Sequence, residues 1–207
     1  MTKAGLVFAT LLLTGCDAAL SASSALPDPS SVTSGDGPFG VGMGASISRF
    51  QVLDSYDNGT QKVQIRDYYN ALMDFYEIQH TADDALCMII GVGRDVTTGG
   101  EGQELRSDMQ RLKQALARTY GQPDNVYLEG PDNSAPADWL SEIRDETRTH
   151  RFCWLGDDGE DYPNDVESIC LTAKSVSNGI GYSIIRYEFD NYDVCTAERE
   201  AEGLADL

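Results

Sequence analysis

The clearest pattern in the chain lies between Glu101 and Tyr120. Leu105, Met109, Leu112 and Leu116 recur at helical spacing, with Ala115 beside them. Gly121 stands where a helix-ending glycine belongs, and Pro123 bars continuation. This predicts an amphipathic helix over 101–120. A shorter helix is predicted from Ser134 to Arg148, with Trp139, Leu140 and Ile143 on its apolar side. Near the start, glycines at 40, 42 and 44 make a turn-rich lead-in. Ser46 can then cap a short helix bearing Ile47, Phe50 and Leu53.

Between these helices the period falls to two. Residues 61–66 (QKVQIR) alternate after a turn at Asp57-Asn58-Gly59. Phe75 to His80 and Leu86 to Val92 read as a hairpin across Thr81 to Ala85. The run LCMIIGV is apolar almost throughout, which predicts a central strand. Arg151 to Leu155, Val166 to Val176 and Gly181 to Asp190 are the later strands. Asn178-Gly179 between the last two predicts a type I′ turn. Ile185, Tyr187 and Phe189 share one face of the final strand. Helices and hairpins do not alternate as βαβ units do. The predicted fold class is therefore α+β, an antiparallel β-sheet with two or three helices packed on one face.

The two ends follow other rules. Lys3 precedes an apolar or small run, Ala4 to Leu13, that is far shorter than the ~20 residues a membrane-spanning helix needs. Leu13-Thr14-Gly15-Cys16 then supplies an aliphatic residue, two small residues and a cysteine. These residues resemble the signal of bacterial lipoproteins, the lipobox. The resemblance implies a signal peptide over 1–15, cleavage before Cys16, diacylation of its sulfur and, in many bacteria, acylation of the new amino terminus. Lipid of that kind, palmitate included, would hold the chain on a membrane of the cell envelope, facing the periplasm or exterior. Two or three chains suffice for lasting attachment, at ~0.8 kcal/mol per buried CH₂. Asp17 resembles the inner-membrane retention signal of enteric lipoproteins.

Residues 16–37 comprise this cysteine and a segment rich in Ala, Ser, Pro, Asp and Gly without an aromatic residue. Such a composition predicts a flexible tether spanning roughly 25 Å. Residues 38–199 are predicted as a single domain, and 200–207 as a disordered C-terminal tail.

The chain holds 34 acids and 15 bases, a formal charge of -19. Loss of residues 1–15 would remove Lys3 and no acid, so the mature form is more negative still. Such a field repels phosphate backbones, which argues against a nucleic-acid partner. The acids are spread along the chain, and solubility is a sufficient reason for them.

With Cys16 assigned to lipid, Cys87, Cys153, Cys170 and Cys195 remain. An even set in an exported chain predicts disulfides, and no spacing fits a zinc site. Three pairings are open. Cys153 and Cys170 flank a predicted hairpin loop, which permits a direct bridge and would leave Cys87 with Cys195.

Signatures of catalysis are missing. The run G-V-G-M-G at 40–44 has no preceding strand and no Walker lysine, and reads as a structural turn. There is no G-x-S-x-G and no H-E-x-x-H. His80 and His150 are the available near-neutral titrating side chains, and each reads as a boundary residue. Asp157, Asp158, Glu160 and Asp161, with Asp165 and Glu167 nearby, form the densest carboxylate cluster. An oxygen-rich loop can bind Ca²⁺, but the EF-hand spacing fails and a solvated loop is the default reading. No cofactor is expected.

The mature chain also resembles a family of uncharacterised bacterial exported proteins. The resemblance rests on Phe39-Gly40-Val41-Gly42-Met43-Gly44, Ala115 to Pro123 (ALARTYGQP), Asp138-Trp139-Leu140, Val166 to Leu171 (VESICL) and Tyr187 to Asn191 (YEFDN). It implies one intact domain and carries no activity. The leading functional reading is a membrane-anchored lipoprotein acting as a non-enzymatic binding or assembly module for another envelope protein. The alternatives are an envelope hydrolase using a carboxylate pair and a Ca²⁺-dependent structural protein. An exposed apolar sheet face would favour the first, and a pocket with two converging carboxylates the second.

Overall fold

The structure is a computed structural model and describes residues 33–34, 37–132, 135–156 and 162–203. The predicted signal peptide, Cys16, Asp17 and most of the predicted tether lie outside those residues. The elements are β1 (Thr33–Ser34), β2 (Gly37–Pro38), β3 (Phe50–Ser55), β4 (Gln61–Ile65), β5 (Met73–His80), β6 (Leu86–Gly93), β7 (Val96–Thr97), α1 (Gln103–Tyr120), β8 (Asn125–Tyr127), α2 (Trp139–Arg144), β9 (Arg151–Trp154), β10 (Val166–Ser177), β11 (Ile180–Phe189) and α3 (Tyr192–Glu202). Nine strands form one antiparallel sheet in the order β3-β4-β5-β6-β11-β10-β9-β8, and β7 pairs with the start of β11. Two meanders therefore meet at β6 and β11, so the apolar run of β6 is central, as its composition predicts. The class is α+β.

Residues opposite one another in an antiparallel ladder share a face, and successive residues alternate. The register places Ile89, Tyr187, Ile169 and Trp154 in one row, and Ile185, Leu171 and Phe152 in the next. All are essentially buried. Helix α1 covers this face with Leu105, Met109, Leu112, Ala115 and Leu116, and adds Tyr120 against Tyr187. Helix α2 adds Trp139, Leu140 and Ile143. Gly102 sits at the αL start of α1, φ 62°, where a Cβ would fall 2.1 Å from the Trp139 ring. At the other end of α1 the Trp154 indole donates to the Gly121 carbonyl at 2.8 Å.

Several expectations need correction. Phe50 begins strand β3 rather than continuing a helix, and Ser46 caps only the 3-10 turn Ile47–Arg49. Strand β3 is an edge strand exposed on both faces after Phe50, so it carries no alternation to read. Leu53 is exposed at a register shift between Val52 and Asp54. Helix α2 is shorter than 134–148. Pro136 opens a separate 3-10 turn, and Glu146 at φ 57° breaks the chain away. Asn178 and Gly179 do connect β10 and β11, but neither has positive φ, so the turn is not type I′. A register shift between Ser175 and Ser177 supplies the extra twist. The predicted tether ends early, because Thr33 and Ser34 pair with Pro38 and Gly37. The C-terminal tail starts late, since α3 continues through Glu202.

Candidate binding surface

The second face of the sheet carries the residues between those of the core. Ile90 lies opposite Glu77 and Arg186, and Arg186 opposite Cys170. The next row is Phe75, Val92, Ile184, Thr172, Arg151 and Tyr127. Phe75, Ile90, Tyr182 and Ile184 are partly exposed, which leaves an apolar centre facing away from α1 and α2. Of the three helices, α3 reaches this side, at one end. Arg186 and Arg199 both donate to the Tyr192 hydroxyl, at 2.7 and 3.4 Å, and both stack on its ring. Glu188 is paired with Arg186 at 2.5 Å and accepts from the Ser168 hydroxyl.

All four cysteines of the domain are oxidised. Cys153 and Cys170 are direct register partners with Cα atoms 4.3 Å apart, and Cys87 joins β6 to Cys195 of α3. No thiol is left there for nucleophilic chemistry. Phe39 and Val41 of the glycine-rich lead-in are fully buried. Phe39 packs on Tyr76 and Tyr187, over Gly91, where a Cβ would meet its ring at 2.4 Å. That run is a core plug held by turns, not a phosphate loop.

His80 ends β5, with Nδ1 3.0 Å from the Thr81 carbonyl and 3.9 Å from Asp84. His150 precedes β9, its ring edge-on between Trp139 and Phe152. Strands β6, β11 and β10 lie between the two, so the histidines cannot act together. His150 is buried, and its Nε2 has no hydrogen-bond partner among the described residues. Burial holds its pKa down to about 4, with Arg106 and Arg148 adding repulsion.

A cavity of about 230 Å³ opens where α2 ends and β9 begins. Arg148, Arg151, Lys174, His150 and Thr172 line it, and Glu146 is its carboxylate. Arg148 Nε donates to Glu142 at 2.7 Å, Lys174 lies 3.8 Å from Glu146, and Arg151 Nε donates to the Thr172 hydroxyl at 3.2 Å. The residues that give the cavity its charge fall in a helix end, a turn and two strands. No local pattern joins them.

The predicted carboxylate cluster, Asp157, Asp158, Glu160 and Asp161, lies outside the described residues. Among the described residues no group of His, Cys, Asp and Glu is arranged to hold a metal ion. Glu167 does have a raised pKa, from partial desolvation first and then from Asp193, Glu188 and Asp190. It is an exposed side chain, however, not half of an enclosed pair. The tyrosines divide. Tyr76, Tyr120 and Tyr187 are core residues, while Tyr56 and Tyr127 are exposed at opposite edges of the sheet. They form no common aromatic platform.

No described helix is long and apolar enough to cross a membrane. Comparison of the chain with protein-family models, with curated proteins and with solved structures finds no match.

Proposed function

We propose that the protein is an exported lipoprotein, anchored to an envelope membrane through Cys16, whose domain is a non-enzymatic module that binds another protein. Asp17 makes the inner membrane the favoured location. One observation carries the binding reading: the sheet face opposite α1 and α2 presents Phe75, Ile90, Tyr182 and Ile184, partly exposed, at its centre. A solvated antiparallel face is ordinarily polar, and an apolar one marks an interaction surface. Its aromatic and aliphatic centre with charged residues at the rim also matches the anatomy of protein interfaces. The hydrolase reading gains nothing from the cavity, whose lining holds a single carboxylate, Glu146.

Two measurements test the two halves of the proposal. Cys16→Ser should move the protein from the membrane to the soluble fraction, or leave it unprocessed. Unchanged processing and membrane association would refute the anchor. A photo-crosslinking amino acid at Ile90 should trap one reproducible protein in intact cells. The same group at Val126, on the far edge strand β8, should not. Equal yields from both positions, or none from Ile90, would refute the binding face.

A further inference from the structure

We propose that the cavity between the end of α2 and the start of β9 binds a compact oxyanion, a carboxylate or phosphate group, with Arg151 as its principal partner. This goes beyond the protein-binding reading and rests on different residues. At about 230 Å³ the cavity has room for a ligand of several non-hydrogen atoms. A single liquid water, for scale, occupies roughly 30 Å³.

The charge balance of the lining selects the sign of the ligand. Three cations, Arg148, Arg151 and Lys174, face one lining carboxylate, Glu146. Arg148 is neutralised from outside the lining by Glu142, at 2.7 Å, with both side chains largely buried. Lys174 is held loosely, 3.8 Å from a Glu146 side chain that is 80% exposed. Arg151 forms no ion pair among the described residues, and its bonded partner is the Thr172 hydroxyl. This occurs in a chain where acids outnumber bases 34 to 15. An arginine without a carboxylate, beside a lysine with a weak one, leaves the cavity positive within a negative molecule.

The chemistry of the groups narrows the ligand further. Bonding through Nε to Thr172 orients the guanidinium plane. A planar guanidinium recognises carboxylate and phosphate through paired hydrogen bonds, and an ammonium adds a point charge. His150 contributes no charge near neutral pH, since burial keeps it neutral. His150 lines the cavity, and its buried Nε2 has no hydrogen-bond partner among the described residues. Within the cavity Glu146 is the competing anion, placed at the αL residue that ends the turn after α2.

Calorimetric titration of the purified full-length protein decides the matter, with inorganic phosphate in one arm and glutarate in the other. Saturable binding of at least one of them is expected, and the arm that binds separates phosphate from carboxylate sources. Arg151→Gln should weaken that binding by about tenfold, the loss expected for one charge-assisted hydrogen bond. Glu146→Gln should tighten it several-fold, because Lys174 then loses its competing partner. Arg151 is exposed on the sheet and Glu146 on a turn, so thermal melts of both variants should stay close to the parent's. No saturable heat from either anion up to about 10 mM, a range set by the weakest useful affinities, would overturn the proposal. So would binding that Arg151→Gln leaves unchanged. Neither result touches crosslinking at Ile90, two strands away from β10.

Discussion

Ile185, Tyr187 and Phe189 on β11 are fully buried, whereas Ile184, Arg186 and Glu188, which alternate with them, stay partly exposed. One strand thus serves two surroundings. The covered side is filled by α1, α2 and the Phe39 plug. The other side has α3 at one end and charged side chains at its rim. Isoleucine stands on both sides, at 184 and 185, so side-chain type does not separate them. What separates them is which face the helices occupy. The uncovered side keeps apolar side chains partly exposed at its centre, and the covered side holds the core.

Five variants would break or sharpen this contrast. The largest effect is expected from Cys87→Ala with Cys195→Ala, which releases α3 from β6. The bridge spans 108 residues, and loop-closure entropy for such a span gives a loss of about 5 kcal/mol in urea unfolding. The same double change at Cys153 and Cys170, 17 residues apart, should cost about 3 kcal/mol. Equal losses would mean that loop length is not what matters.

Next comes the covered face. Ile185→Ala should destabilise by about 2–5 kcal/mol, since the fully packed site cannot collapse around the cavity left behind.

His150 gives an effect of similar or smaller size that depends on pH. Its folded pKa is about 4, against ~6.5 in an unfolded chain. Between those values the unfolded state binds more protons. The contribution is therefore fully present above ~6.5 and is lost as pH falls towards 4, to the extent of roughly 3 kcal/mol. Urea titrations of the parent and His150→Phe between these pH values should differ in slope, with the variant flatter. Parallel curves would mean that the imidazole is hydrated.

The smallest effect is expected on the uncovered face. Ile184→Ala should change stability by less than about 1 kcal/mol, because solvent already reaches the site. A loss as large as that of Ile185→Ala would mean that the two faces do not differ.

The helix α1 could be read in advance because its apolar stripe repeats and its end is punctuated by Gly121 and Pro123. Strands β5, β6, β10 and β11 announced themselves through alternation or continuous apolar runs. Strand β3 did not, since five of its six residues are exposed and an edge strand buries no face. Helix α3 leaves little periodic signal for a related reason. It is polar along most of its length and is held by Cys195 and Tyr192 rather than by an apolar stripe. Gly91 falls inside the apolar run of β6, and its role as the gap into which Phe39 fits depends on a residue far away in the chain. The cavity was invisible in sequence because Glu146, Arg151 and Lys174 come together only when β9 pairs with β10.

By itself the sequence determined the α+β class, the long helix and the central hairpin strands. These depend on the period of apolar residues, a local property of the chain. It also determined that four cysteines were available to pair. Among the described residues, the tertiary structure decided which cysteines meet, which face of the sheet stays uncovered and where an arginine stands without a carboxylate. Each of those is fixed by contacts between residues far apart in the chain, through strand order and helix placement, and local periodicity does not encode them.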